Sequence, residues 1–441
     1  MTATTDDRDR SHVVTAFLRH RGDVLLLCRS DAVGTYAGRW GAVSGFAEGD
    51  PDEQVRVEIR EETGLEGAVS LVSSGRPVEF ADADLDREWV VHPYLFDCED
   101  REVELSEEHD AFEWVPPTDI AVPNSEYETV PKLWTAYERV APTVRSIAAD
   151  DERGAAALSV RALEVVRDRA GLLVAERAKV GEDAAANEEW DELAELARWL
   201  LEARPSMAVL RNRVNRTMAD AEAAADTDRA GAPEVLDAAL AGVDRALEAD
   251  TEAAATAADV LEGSVMTLSR SGTVLEAIQA GAPSRVFVAE SRPAREGVAV
   301  AETLAGDVPV TLHTDAAAAH LLATEDVDRV LVGADAIRAD GAVVNKTGTR
   351  TLSIAAARED VPVTVVAAAD KLSTREELNL ESGDRSAVYD GDADLDVANP
   401  TFDVTPADCV SEVATERGRL DPEGLEDVVA ELRELEDWRS A

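Results

Sequence analysis

GFAEGDPDEQVRVEIREETGL, residues 45–65, is a glycine-bounded turn followed by a helix, and its acidic end decides how the first third of the chain is read. At about 100° per residue, positions i, i+3 and i+4 share one helical face, so Glu58, Glu61 and Glu62 project together. Three crowded carboxylates repel one another unless a cation sits among them. A divalent metal is the economical solution: hard cations such as magnesium or manganese take carboxylate oxygens and leave positions for water and substrate phosphates. The face therefore reads as a phosphate-cleaving site.

The end of the stretch, VEIREETGL, resembles the box of the Nudix hydrolases, which closes Arg-Glu-aliphatic-x-Glu-Glu-x-Gly-aliphatic. Glu58, Glu61, Glu62 and Gly64 match. Val57 stands where the family has an arginine that orients the first glutamate, and valine cannot hydrogen-bond to it. Arg56 and Arg60 do not substitute, because each lies two residues from Glu58, about 200° around the helix. The surroundings resemble the same family. Residues 13–28, VVTAFLRHRGDVLLLC, read as two strands with a turn at 21–23; 38–45, GRWGAVSG, resembles the entry to the box; and 107–120, EEHDAFEWVPPTDI, resembles its closing strand and loop. The resemblance implies Glu58 as base or metal ligand, Glu61 and Glu62 as ligands to magnesium or manganese, and Glu107 or Glu108 as an additional one. It implies metal-dependent hydrolysis of a nucleoside diphosphate derivative, slowed by Val57.

Composition bounds the setting. The 441 residues suffice for two or three domains. Net charge is −48, pI is near 4.3, and Lys132, Lys179, Lys346 and Lys371 are the only lysines. Acid spread along the whole chain fits a protein that stays soluble in concentrated salt, where screening tames self-repulsion, so a halophilic cytoplasm is the expected setting. Such a surface argues against bare nucleic acid, while a nucleotide in a locally basic pocket stays compatible with it. The isolated Cys28, Cys98 and Cys409 suggest a reducing compartment and buried thiols. The start, MTATTDDRDR, lacks a signal-like apolar core, and no run suggests a membrane span.

The expected organisation is α/β in three parts: an N-terminal α/β/α sandwich of Nudix type over 1–145, a helical segment over 146–262, and a Rossmann-like, largely parallel sheet over 263–441. The helical segment is alanine-rich, broken near Gly181, Pro205 and 231–233, and joined to the first part near Asp150 and Asp151. Beyond Gly263, SVMTLS, RVFVAE, VPVTLH, DRVLVGAD and VPVTVVAAA alternate with helices, which is the pattern of a parallel sheet. In such sheets ligands bind outside the carboxyl ends of the strands. Arg270, Ser271 and Gly272 follow the first of these strands and open a helix whose backbone N–H groups could hold phosphate.

RGA (153–155), RPSMAVL (204–210), SRPAREG (291–297), VGADAIRADGAVVNKTGT (332–349), NPTFDVTP (399–406) and TERG (415–418) together resemble a superfamily. It contains the regulatory subunits of eukaryotic initiation factor two B, methylthioribose-1-phosphate isomerase and archaeal ribose-1,5-bisphosphate isomerase. The isomerases use a cysteine after the first sheet strand and a later aspartate. Asp335 matches the aspartate; Ser269 occupies the cysteine position and is a far weaker acid. The resemblance implies phosphate binding by Arg153, with Gly154, and by Arg204 and Arg292, and places Asn345 and Lys346 near the sugar. It also leaves a homodimer through the C-terminal domain open. Three functions follow as expectations: a hydrolase fused to a sugar-phosphate or nucleotide-binding domain, a non-catalytic ligand sensor or assembly protein, and an active ribose-phosphate isomerase using Asp335 and Ser269.

Overall fold

Side chains in a strand point alternately to its two faces, and residues 10–29 bury both sets. The computed structural model describes residues 10–121, 126–150, 153–180, 186–225, 229–376 and 380–440. Strands β1 (Arg10–His20) and β2 (Asp23–Arg29) pair antiparallel around a turn at Arg21 and Gly22. Gly22 has φ +92°, and a Cβ there would lie 2.9 Å from Val243, so the turn needs glycine. The expected features at residues 1–9, Asp151 and Gly181 lie outside the described residues.

Strands β3 (Trp40–Gly41), β4 (Val43–Phe46), β5 (Val69–Ser74), β6 (Val78–Asp82), β7 (Arg87–Cys98) and β8 (His109–Val115) complete a mixed sheet of order β3-β2-β1-β7-β5. β4 adds to β1, β6 to β7 and β8 to β2; β1 and β7 run parallel, the other pairs antiparallel. On one face Val14, Ala16 and Leu18 pack with Val55 and Ile59 of helix α1 (Pro51–Thr63). On the other, Phe17, Val24 and Leu26 pack with Leu133 and Tyr137. Burying each such large side chain stabilises the fold by about 1.5–3 kcal/mol. The sequence sets the ends of α1 locally: the Asp50 carboxylate accepts from the Asp52 N–H, Pro51 begins the first turn, and Gly64 ends the helix at φ +73°.

Four long helices follow: α2 (Ala155–Val180), α3 (Ala186–Ala203), α4 (Ala208–Ala224) and α5 (Ala232–Ala258). The chain divides into two units. One comprises Met1–Ser146, Glu164–Glu195 and Ala224–Val243; the other comprises Ile147–Leu163, Leu196–Ala223 and Asp244–Ala441. The helical segment is thus shared out between them. Within the first unit Arg19 donates to the buried Glu164 carboxylate, and Arg167 Nη1 donates to the Gly22 carbonyl at 2.7 Å.

The second unit holds β9 (Ser264–Leu268), α6 (Gly272–Gly281), β10 (Arg285–Ala289), α7 (Glu296–Leu304), β11 (Val310–His313) and β12 (Arg329–Val332). A small antiparallel sheet of β13 (Ala336–Ile337), β14 (Val343–Lys346) and β16 (Phe402–Thr405) branches from it; α8 (Thr349–Arg358) and β15 (Val363–Val366) lie between β14 and β16 in sequence. With β17 (Glu412–Thr415) and β18 (Gly418–Leu420), the main sheet runs β11-β10-β9-β12-β15-β17-β18 and is parallel except at its last pair. Val265, Val286, Val288 and Leu331 face α5, α6 and α7; Met266, Val330, Val332 and Val365 face α8 and the terminal helix α9 (Pro422–Glu434). Cys98 is a buried thiol as expected, whereas Cys28 and Cys409 are only half-buried, because each sits near an element end rather than under a helix. No helix among the described residues is long and apolar enough to cross a membrane.

Candidate functional site

Helix α1 delivers its carboxylates at three depths. Glu62 is buried, Glu58 half-buried and Glu61 exposed. The approach of Glu58 to β4 depends on Gly45, where a Cβ would fall 2.1 Å from the Glu58 carboxyl. Ser44 N–H donates to Glu62 Oε2 at 3.1 Å, and Gln54 Nε2 donates to Glu58 Oε1 at 2.7 Å. Gln54 was not singled out from the sequence, although it stands four residues before Glu58 and so on its face. It supplies the hydrogen bond that Val57 cannot. Arg56 instead lies over the Phe96 ring and Arg60 turns to Glu61 and Glu66, as the helical geometry requires.

Burial pushes the Glu62 carboxyl up to about 8, with Glu58 and Glu108 adding repulsion against the pull of Ser44 N–H and Arg29. Burial also raises Glu58, helped by Glu61 and Glu108. His109, whose Nε2 is 4.0 Å from Glu62, is held down to about 4, by burial first and by Arg29 second. The four glutamates expected from the sequence therefore share one neighbourhood. Among the described residues no three side chains stand in a closed metal-ligating cluster. The donor set nonetheless suits a hard divalent cation: it is all carboxylate oxygen, mutually repulsive and partly desolvated. Glu58, Glu61 and Glu108 border a cavity of about 630 Å³ whose wall also carries Arg29 and Lys132.

In the second unit, Ser269 follows β9 at φ +63°, where its N–H donates to Ser291 Oγ at 2.6 Å. Its hydroxyl donates to Glu296 Oε2 at 3.3 Å, and Lys346 Nζ donates to Glu296 Oε1 at 2.7 Å. Glu296 is the residue that sequence reasoning missed here; a glutamate opening a helix carries no signal of that role. Burial raises the Asp335 carboxyl, opposed by Lys371 and Lys346 and reinforced by Glu381 and Glu296. Lys371, also not singled out for this site, is buried with Nζ on the Ala334 carbonyl at 2.6 Å. Ser269 and Lys346 are thus linked through Glu296, and Asp335 feels the charges of Glu296 and Lys346.

The other expected binders are mostly engaged elsewhere. Arg153 pairs with Asp150 at 2.8 Å. Arg204 Nε donates to the Ile147 carbonyl at 3.0 Å, and its Nη2 donates to the Asp150 carbonyl. Arg292 is exposed and donates to Glu290 at 3.3 Å, while its loop is tied by the N–H groups of Ser291 and Arg292 to Asp315. Asn345 donates to Thr349 Oγ1 at 3.0 Å, inside the same unit. Ser271 caps α6, Arg270 before it is exposed, and Gly272 begins the helix. At Gly154 a Cβ would meet nothing within 4 Å. Asp335 borders a small cavity of about 40 Å³ lined also by Ser206, Arg211, Glu381 and Phe402.

Residues 151–422 match the model of the Initiation factor 2 subunit family, and residues 8–135 match that of the NUDIX domain. A Haloferax volcanii protein named ribose 1,5-bisphosphate isomerase is 33% identical over 311 residues, covering 67% of this chain and 94% of its own length. A Pseudomonas aeruginosa methylthioribose-1-phosphate isomerase is 38% identical over 178 residues, 36% of this chain and 49% of that protein. The crystal structure of the Pyrococcus horikoshii translation initiation factor eIF-2B aligns at a TM-score of 0.51 with 26% identity, covering 63% of this chain and 94% of that one. The chain belongs to the initiation factor 2 subunit family and carries a NUDIX domain ahead of the family's region.

Proposed function

We infer that the N-terminal unit hydrolyses a phosphoanhydride in a nucleoside diphosphate derivative, and that the region from residue 151 binds a sugar phosphate or nucleoside monophosphate. The observation that carries the first part is the cavity bordered by Glu58, Glu61 and Glu108 at one side and by Arg29 and Lys132 elsewhere. Glu58, Glu61, Glu62 and Glu108 would hold magnesium or manganese, which when bound acidifies water and polarises a phosphoryl oxygen. Glu58, steadied by Gln54, takes the proton of the attacking water. Arg29 and Lys132 balance the diphosphate charge. The test is cleavage of nucleotide sugars and dinucleotides by the purified protein in high salt with magnesium; no cleavage of any of them, with or without Val57→Arg, would sink the reading.

A second reading, ribose-phosphate isomerisation, is favoured by one contact: Ser269 donates to Glu296, so the hydroxyl has a carboxylate acceptor beside it despite the missing cysteine. The Haloferax relative's name points the same way. Conversion of ribose-1,5-bisphosphate by the native chain, lost in Asp335→Asn, would establish it. Binding without conversion would leave the sugar-phosphate site as a sensor.

A further inference from the structure

The cavity beside α1 has an aromatic side that the hydrolytic chemistry does not use. Phe46, at the end of β4, is half exposed, and its ring stacks on that of Trp89 with centroids 6.0 Å apart and planes 29° apart. Tyr36 closes on the same Trp89 ring at 6.2 Å. All three border the cavity whose other side carries the glutamates.

Arg87 is placed among these rings without a polar partner. Its guanidinium carbon lies 5.0 Å from the Trp89 centroid and 5.8 Å from that of Phe46. Among the described residues its side chain makes no hydrogen bond and no ion pair, in a chain with 91 acidic residues. The cause is specific. Asp82 stands directly across from Arg87 in the β6–β7 register, but its carboxylate accepts from the Tyr36 hydroxyl and from the N–H groups of Asp84 and Leu85. The acid across the pair is occupied, and the arginine keeps its donors for the cavity it borders.

A guanidinium only donates, so its match is a flat group with adjacent acceptors. Guanine offers O6 and N7 side by side. Adenine pairs its N7 with an amino donor that would oppose the guanidinium. The exposed face of Phe46 supplies the stacking surface, since base and aromatic ring attract through their π faces. We propose that Phe46, Trp89 and Arg87 form a base-reading subsite that selects a guanine nucleoside diphosphate, with its diphosphate directed to Arg29, Lys132 and the glutamates of α1. This rests on the reading of the N-terminal unit as acting on a nucleoside diphosphate derivative.

The test is calorimetric binding of GDP, ADP and inorganic diphosphate to the full chain in magnesium and high salt, for the native protein, Arg87→Met and Phe46→Ala. The native protein should prefer GDP over ADP by roughly 5- to 150-fold, the range for one bidentate arginine–guanine pair. Arg87→Met should erase that preference and leave inorganic diphosphate binding unchanged. Phe46→Ala should weaken both nucleotides and spare inorganic diphosphate. Equal binding of GDP and ADP by the native protein overturns the proposal. So does an Arg87→Met variant that loses inorganic diphosphate as strongly as GDP, because Arg87 would then be a phosphate clamp. A GDP preference without cleavage of any GDP-linked substrate keeps the subsite and removes hydrolysis; cleavage without base preference does the reverse.

Discussion

Glu62 and Glu431 are the same residue in opposite circumstances. Glu62 is buried with Glu58 and Glu108 close enough to repel it, and its carboxyl is pushed up to about 8. Glu431, in the other unit, receives Arg417 at 2.6 and 2.8 Å and Arg216 at 3.3 Å, and is held down to about 2. The contrast extends to the two candidate sites. Around α1 Glu58 and Glu108 make no ion pair among the described residues and, with Glu61, border about 630 Å³ of space; beside Asp335 Lys346 is paired with Glu296 and the space is about 40 Å³. The first region presents unmatched acid to open space, which the proposed binding of a cation and a diphosphate requires. The second must exchange internal partners before it accepts a ligand.

The largest expected effect tests the first half of that contrast. Glu62→Gln keeps the shape and the Ser44 hydrogen bond but removes the group that a bound cation would ionise into a carboxylate ligand. Magnesium affinity and any hydrolysis should fall by roughly 100-fold or more, since several kcal/mol of charge stabilisation is involved. Without metal, the variant should melt no lower than the native protein at neutral pH, because an amide escapes the cost of holding a buried carboxyl protonated well above its unfolded value. Unchanged metal affinity by calorimetry would break the comparison.

The second half is sharpened by comparing two arginines. Arg292→Ala should weaken phosphorylated-ribose binding by roughly 1.5–3 kcal/mol with little change in melting temperature, because among the described residues its side chain pairs only with Glu290, at the surface. Arg204→Ala should instead lower the melting temperature, because that side chain holds the Ile147 and Asp150 carbonyls. If both variants lose ligand and keep stability, the paired state of Arg204 is not what governs the site.

A smaller effect concerns Arg211, which is buried, makes no ion pair among the described residues and leaves Nε and Nη1 without partners. Burial, with Arg375 and Arg439 adding repulsion, holds it down to about 10. Replacing it with methionine should stabilise the protein by about 1–3 kcal/mol, the usual cost of buried unmet donors. A loss of stability in denaturant titration would mean that the bond from Nη2 to the Pro205 carbonyl outweighs the unmet donors.

Local pattern made the fold legible, and tertiary pairing hid much of the sites. Residues 13–28 and the five apolar runs after Gly263 read correctly because a buried strand leaves its periodicity in consecutive residues. Glu58, Glu61 and Glu62 were legible because i, i+3 and i+4 is also a local relation. Gln54 obeys the same rule, but the family pattern places the partner of Glu58 at position 57, where this chain has valine. Glu296, Lys371 and Arg87 could not be found this way. Each gains its role from a partner on another loop or strand, and for Arg87 the decisive fact is that Tyr36 and a turn have taken Asp82.

The smallest effect lies at Glu431 and tests whether paired charge in the second unit matters to stability at all. A carboxyl held below its unfolded value, about 4.3, contributes stability that is fully present above that pH and is lost as pH falls toward about 2. Glu431→Gln should therefore lower stability at neutral pH, and the difference from the native protein should vanish in acid. The side chain is 42% exposed and Arg417 is 35% exposed, so water and salt screen the pair, and the gap at neutral pH should be about 0.2–1 kcal/mol. High salt should narrow it further, since exposed pairs weaken with ionic strength. Paired denaturation curves of native and variant protein at neutral and acid pH, each at low and high salt, measure all of this. A gap that persists in acid would assign the effect of Glu431 to packing of its methylenes, and the contrast with Glu62 would then be one of position rather than of charge.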